Sequence, residues 1–244
     1  MPRPAFPIEL VSNQKLAPRT IELTFRVDAP FAFEAGQFVS LLFEHKGEQF
    51  KRSYSLASSP ELLAGENLFK VAIGLIPGGA ASECFANAKP GDQFSMIGPF
   101  GLLTLPKELP ERLVLVGTGT GMAPYRSMLP QLEKLISQGV KVHILMGTRL
   151  RSDVFYHQDF KALTDSSTDV QFEACLSKEE DIQPENGETS GRVQNRFPEL
   201  HLNPEKDLVY LCGNPAMIND SVTILTEQGF GVRQVKREKY TFSR

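Results

Sequence analysis

Apolar positions follow two different periods along the chain. Over the first hundred residues, stretches 20–27, 37–43 and 68–75 alternate roughly in twos, the spacing of half-buried strands. Gly36, Gly47, Gly65, Pro77-Gly78-Gly79, Pro90-Gly91 and Gly98-Pro99 punctuate them. Short strands at near-regular spacing predict a small antiparallel barrel. One helical stretch, about 81–88, interrupts it, and Pro90-Gly91-Asp92 ends that stretch.

The second half has another rhythm. Residues 112–116 form a continuous apolar run, the mark of a strand buried on both faces. A glycine loop follows, then a helical segment over about 122–138. Apolar runs at 140–146, 170–176 and 207–212 predict further strands, with helices near 156–163 and 216–227. Strands alternating with helices predict a doubly wound parallel sheet. The change of period lies near 105–111, where Pro106 and Pro110 flank a charged stretch. Two domains are therefore expected, 1–105 and 111–244. Pro130 falls inside the first predicted helix of the second half and should kink or restart it.

Charge and cysteine usage narrow the classes of function. A formal net charge of −3 argues against general nucleic-acid binding. Cys84, Cys175 and Cys212 are far apart and form no C-x-x-C pair, which argues against zinc and a built-in iron–sulfur cluster. Free thiols fit a reducing compartment. The first ten residues hold Pro2, Pro4 and Pro7 without an apolar stretch, so no secretory signal is expected. The longest apolar runs, such as 38–43 and 113–116, are strand-sized. A cytoplasmic location follows as the expectation.

Two constellations carry chemistry. Arg52-Ser53-Tyr54-Ser55 sits on a predicted barrel strand, and taken alone it could be a strand with one exposed arginine. A loop, Pro77-Gly78-Gly79-Ala80-Ala81-Ser82, opens the helix of the same half. Small residues there let backbone N–H groups approach an anion. Arg52 could add a bidentate grip on a pyrophosphate. Tyr54 could stack on an aromatic ring system, and the Ser55 hydroxyl could bond a ring heteroatom. A dinucleotide with a flat three-ring head meets these demands. The second constellation is Gly117-Thr118-Gly119-Thr120-Gly121, between a buried strand and a helix, where a phosphate-cradling loop belongs. It is neither the Rossmann fingerprint, since Met122 takes the sixth position, nor a P-loop. A plain strand-to-helix turn needs fewer glycines. Cys212-Gly213-Asn214-Pro215-Ala216-Met217 ends another buried strand, where ligands of open α/β sheets gather.

These elements, with Lys89-Pro90-Gly91-Asp92 and Gly98-Pro99-Phe100-Gly101, resemble in order the bacterial ferredoxin/flavodoxin–NADP reductase family. The resemblance runs from about Gly36 to Tyr240. It implies a six-stranded Greek-key barrel for FAD followed by a doubly wound parallel α/β sheet for NADP. It also implies that Arg52 and Ser53 meet the FAD pyrophosphate, that Tyr54 packs on the isoalloxazine, and that Ser55 lies near flavin N5. Gly79, Ala80, Ala81 and Ser82 would hold phosphates, with Ile73 and Leu75 lining the adenine side. Thr118, Gly119, Thr120 and Gly121 would hold the nicotinamide nucleotide. Cys212, Gly213, Asn214 and Met217 would lie where the nicotinamide approaches the flavin. Ser55, Cys212 and Glu238 become the candidate catalytic residues. The 233–244 segment carries Arg233, Lys236, Arg237, Lys239 and Arg244. Within it Glu238-Lys239-Tyr240 resembles the family's acidic–aromatic ending, so Tyr240 or Phe242 would cover the flavin.

A 2′-phosphate needs cations, whereas a bare ribose meets a carboxylate. Arg149, Lys178 and Arg192 follow predicted parallel strands, and Ser177-Lys178-Glu179 resembles the Ser-Arg-Glu element of NADP-dependent members. NADPH is therefore expected over NADH, although the lysine lacks the planar fork of arginine. Basic residues near the flavin point to an acidic carrier, ferredoxin or flavodoxin, as partner. A monomer without nucleic-acid or membrane partners is expected. The alternatives are an NAD(P)H:flavin reductase, the reductase component of an oxygenase, and a non-enzymatic regulatory subunit of the same fold. Tyr54, where many free-flavin reductases resemble Arg-Pro-Phe-Ser, favours tightly held FAD.

Overall fold

The computed structural model describes residues 4–240. Phe242, one of the two aromatic candidates, lies outside the described residues. The chain divides into two compact units. One holds the described residues up to Leu105 together with Ala123–Met128, and the other holds Pro106–Met122 and the described residues from Leu129 to Tyr240.

The first unit is a six-stranded antiparallel barrel. Its strands are β1 (Phe6–Ala17), β2 (Thr20–Arg26), β3 (Phe38–His45), β4 (Glu48–Ser55), β5 (Leu68–Gly74) and β6 (Gln93–Phe100), with α1 (Pro60–Glu66) and α2 (Ala80–Ala86) between them. The order is β4-β3-β6-β1-β2-β5. A bridge between Leu56, one residue past β4, and Val71 of β5 joins the two outer strands. Alternation in β2 and β5 sends Leu23, Phe25, Phe69 and Val71 into a core where none is measurably exposed. Helix α1 escapes detection by period because it spans only seven residues. Its signals are Pro60 in the first turn and Asn67 in the left-handed conformation at the end.

Helix α2 matters for the site because it carries the Gly78-Gly79 loop. Phe85, fully buried, anchors it in the barrel core, 4.8 Å from the Phe43 ring and 5.4 Å from Phe94. The Asn13 side-chain amide donates to the carbonyls of Phe85 and Ala88 at 2.9 and 3.0 Å, satisfying acceptors that the helix end leaves open. Glu83 binds Lys46 and His45 at the β3–β4 hairpin, at 2.7 and 2.9 Å. Those two bonds hold its carboxyl below the usual range.

The second unit is a six-stranded parallel sheet. Its strands are β7 (Arg112–Thr118), β8 (Lys141–Thr148), β9 (Val170–Leu176), β10 (Glu188–Ser190), β11 (Asp207–Gly213) and β12 (Val235–Lys239), in the order β10-β9-β8-β7-β11-β12. Helices α3 (Ala123–Ser127), α4 (Leu129–Ser137), α5 (His157–Ser166), α6 (Phe197–Leu200) and α7 (Pro215–Glu227) lie along this part of the chain, α3 belonging to the first unit. Leu113, Val114, Leu115 and Val116 are wholly buried, as their unbroken apolar run requires. His143 interrupts the run of β8, and its Nε2 lies 2.7 Å from Glu173, which also binds Arg196 at 2.6 Å.

One feature bears out the sequence reading and two depart from it. The helix expected over 122–138 is two helices broken at Met128, with Pro130 in the first turn of α4, where its missing N–H costs nothing. Strand β10 is only three residues long and has no periodicity to read. Strand β12 is the basic segment Val-Lys-Arg-Glu-Lys, which has no apolar alternation to announce it, yet it pairs in parallel with β11. Among the described residues no helix is long and apolar enough to cross a membrane.

Truncating the α2 anchor tests the packing. Phe85→Ala should cost about 3–5 kcal/mol and lower the urea midpoint of the first unit. An unchanged midpoint would show that α2 is held by other means.

Candidate functional site

In the first unit, β4 presents Arg52, Ser53, Tyr54 and Ser55. Ser40 and Ser53, opposed on β3 and β4, share a hydrogen bond of 3.0 Å. The Arg52 guanidinium lies 5.3 Å from the Phe50 ring and donates to the Lys51 carbonyl. It has no carboxylate partner among the described residues, so its charge is available to an anion. The Tyr54 ring is half-buried and meets Phe85 edge-on at 6.1 Å, which ties β4 to α2. Burial pushes the Tyr54 phenol well above its usual range, so it stays protonated. Ser55 is 3% exposed at the strand end.

Around Gly79 to Ser82 the chain turns into α2. Ile76 N–H donates to Ser82 Oγ at 2.7 Å, so that hydroxyl closes the turn. Gly79 takes the N-cap position and brings no side-chain cap to the helix, leaving Ala80 and Ala81 beside an uncapped start. Ile73 is 1% exposed and belongs to the core, with its strand paired to β2. Leu75 is half-buried just beyond β5, with its N–H on the Arg19 carbonyl.

In the second unit, the sheet order reverses between β7 and β11, and both strands end in glycine-containing loops there. Gly121 packs so closely on β11 that a Cβ would sit 2.3 Å from the Cys212 carbonyl oxygen. Gly213, at φ +118°, would place a Cβ 2.6 Å from the Thr118 carbonyl. No other residue fits either position. Thr118 Oγ1 accepts from Asn214 N–H at 2.9 Å, and the Asn214 side chain caps α7 through Ala216 N–H at 2.8 Å. Tyr240 N–H donates to the Gly213 carbonyl at 2.9 Å, and its hydroxyl lies 3.5 Å from the Thr120 carbonyl. Thr118, Gly119, Thr120, Gly121, Cys212, Gly213, Asn214 and Tyr240 are thus brought together. Met217 is buried in the first turn of α7. Glu238 pairs opposite Cys212 on β12. Burial pushes the Cys212 thiol far up, the nearby Glu238 charge adds to this, and a Tyr240 hydrogen bond opposes it. The thiol is therefore neutral at physiological pH.

The three cations converge at the strand ends of β8, β9 and β10. Ser177 N–H donates to the Thr148 carbonyl at 3.1 Å, and Lys178 N–H to the Arg149 carbonyl at 2.8 Å. Gly191 N–H reaches the Leu176 carbonyl at 3.0 Å, bringing in Arg192. Arg149, Lys178 and Arg192 are exposed, and none has a carboxylate partner among the described residues. Arg151, missed by the sequence reading, does the opposite: it grips Glu188 through two nitrogens at 2.5 and 2.7 Å. Its N–H binds Glu179, so it braces these loops rather than serving a ligand. Its only advance signal was proximity to Arg149.

Comparison with known proteins decides the family. Residues 7–105 match the oxidoreductase FAD-binding domain and residues 115–223 the oxidoreductase NAD-binding domain. "Ferredoxin--NADP reductase B" from Sorangium cellulosum (strain So ce56) is 36% identical over 215 residues, covering 86% of this chain and 83% of that protein. The chain belongs to the ferredoxin–NADP reductase family. It is a flavoprotein oxidoreductase with an FAD-binding and an NAD(P)-binding domain, as the resemblance implied. A crystal structure of a ferredoxin NADP+ reductase from Neisseria gonorrhoeae with bound FAD and NADP superposes with a TM-score of 0.84 at 25% identity, covering 96% of this chain and 98% of that one. The reductase component of propane 2-monooxygenase from Rhodococcus jostii (strain RHA1) is 29% identical over 87% of this chain. The chain spans only 57% of that relative's length.

Two measurements test the site. Gly121→Ala drives a methyl group into main chain and should slow NADPH-dependent dye reduction about a hundredfold while FAD stays bound. A wild-type rate would show that the two loops are not held in contact. Iodoacetamide at pH 8 should leave Cys212 and Cys175 unmodified in the folded protein, because burial holds both thiols neutral, that of Cys175 pushed up to about 11. Alkylated Cys212 in the mass spectrum of folded protein would contradict this.

Proposed function

We propose that this protein takes a hydride from NADPH and passes single electrons to ferredoxin or flavodoxin. The observation that carries the choice of nucleotide is the trio of Arg149, Lys178 and Arg192, exposed and without carboxylate partners where three parallel strands end. Such a cluster suits a 2′-phosphate and would be idle toward a bare ribose. Bound FAD supplies the conversion between two-electron and one-electron transfer.

The residues of the chain bind and orient. Arg52, beside the small residues Gly79 to Ser82, would neutralise the FAD pyrophosphate, and Ser53 lies on the same strand. The Tyr54 ring would support the isoalloxazine, its phenol kept neutral by burial. Ser55 would donate a hydrogen bond near N5, with Leu75 on the adenine side. The loop from Thr118 to Gly121 and the start of α7 at Asn214 would seat the nicotinamide nucleotide. Cys212 would act there as a neutral, polarisable surface, and Glu238 as the adjoining negative charge. Tyr240, fixed by the Gly213 carbonyl, would be the aromatic ring of the site.

Exposed Arg233, Arg237 and Lys239 would draw in an acidic carrier and make its reduction slow as salt rises. We place the protein in the cytoplasm as a monomer, a reading supported by three free cysteines. The likeness to the monooxygenase reductase component supports a second reading, with an oxygenase as acceptor.

Steady-state kinetics with both nucleotides test the proposal. Lys178→Ala with Arg192→Ala should raise KM for NADPH about 10–100-fold, the loss of one charge-assisted contact or more, and leave NADH rates unchanged. An equal effect on both nucleotides would remove the 2′-phosphate from the argument.

A further inference from the structure

The segment after Ser55 is held by an unusual set of partners. Leu56 N–H donates to the Gln37 carbonyl at 2.9 Å, and Ala57 N–H to the Lys70 carbonyl at 2.7 Å. Lys70 N–H returns a bond of 3.0 Å to Ser58 Oγ. The Ala57 carbonyl then accepts from Arg126 Nη1 of α3 at 3.0 Å. That same nitrogen lies 3.4 Å from Glu22 Oε2, while Glu22 Oε1 binds Lys70 Nζ at 3.0 Å. The next residue of α3, Ser127, accepts from Gly36 N–H at 2.9 Å, one residue before Gln37. All these residues belong to the first unit.

Glu22 is 3% exposed, so its charge is desolvated, and Lys70 and Arg126 are among the groups that compensate it. A guanidinium shared between a buried carboxylate and a main-chain carbonyl is directional in a way an apolar contact is not. The carbonyl it grips is two residues from Ser55, just past the Leu56–Val71 bridge, where the regular β3–β4 pairing has ended.

We infer that Arg126 is a positioning residue, fixing through the Ala57 carbonyl the place of the Ser55 hydroxyl, with Glu22 and Lys70 orienting the guanidinium. The inference rests on the role proposed above for Ser55 beside the flavin. Arg126 acts through Ser55, so its effect on flavin reduction should run through Ser55.

The test uses FAD-loaded Arg126→Gln, Arg126→Lys, Ser55→Ala and the double variant Arg126→Gln/Ser55→Ala. Hydrogen–deuterium exchange of the peptide spanning 56–58 should quicken about tenfold in Arg126→Gln, with partial rescue in Arg126→Lys. Anaerobic single-turnover flavin reduction by NADPH should slow about tenfold in Arg126→Gln, with KM and FAD content unchanged. In the double variant the rate should equal that of Ser55→Ala alone, because the two substitutions act through one group. Wild-type exchange over 56–58, or additive losses in the double variant, would overturn the inference. A wild-type rate in Ser55→Ala would instead sink the role given to Ser55, and the exchange data would still decide whether Arg126 holds the segment. Should Arg126→Gln fail to retain FAD, Glu22→Gln carries the test, with a smaller rise in exchange expected and none overturning it.

Discussion

Two stretches of main chain in the parallel sheet pass closer than any side chain allows. Gly121 lies against the Cys212 carbonyl and Gly213 against the Thr118 carbonyl, so each loop occupies the space a Cβ of the other would need. The reversal of strand order between β7 and β11 opens the crevice, and the glycines determine how the loops bordering it close. Thr118, Asn214 and Tyr240 then knit those loops with hydrogen bonds, which set the backbone N–H groups of 118–121 in one arrangement.

The barrel solves a related problem with charge. Its core is built from leucine, phenylalanine, isoleucine and valine, which pack well but do not dictate one register at a strand end. The directional information there comes from polar groups: Asn13 on the end of α2, Lys70 on Ser58, Arg126 on Ala57. Of these, the Arg126 bond lies nearest a residue assigned to the flavin, two residues past Ser55. Burying Glu22 is costly in itself, and Lys70 and Arg126 help offset that cost.

Much of this was legible in the sequence. The glycine loop, the buried apolar strand before it and the change of period near 105 all express strong local constraints. Pro130 announced the helix break because proline removes a donor wherever it sits. What escaped reading lacked a local constraint. Strand β10 is three residues long, and β12 is stabilised by pairing with β11 rather than by its own apolar pattern. Arg126 lies outside the glycine loop that ends at Gly121, and its partners Glu22 and Ala57 are 104 and 69 residues away in the chain. Contacts at that separation leave no trace in spacing. Ile73 shows the reverse case: the position was read correctly as strand, yet its side chain points into the core.

The two outer strands of the parallel sheet carry a consequence of their own. An unpaired strand edge is a template on which another copy of the chain can build, and a sheet buried on both faces is especially sticky once opened. Strand β10 offers three residues, too few to recruit a neighbour. Strand β12 offers Lys236, Arg237 and Lys239, whose like charges would repel a second copy laid alongside. One border is protected by brevity and the other by electrostatic repulsion, so the features that made these strands hard to read are the ones that guard the molecule against polymerisation.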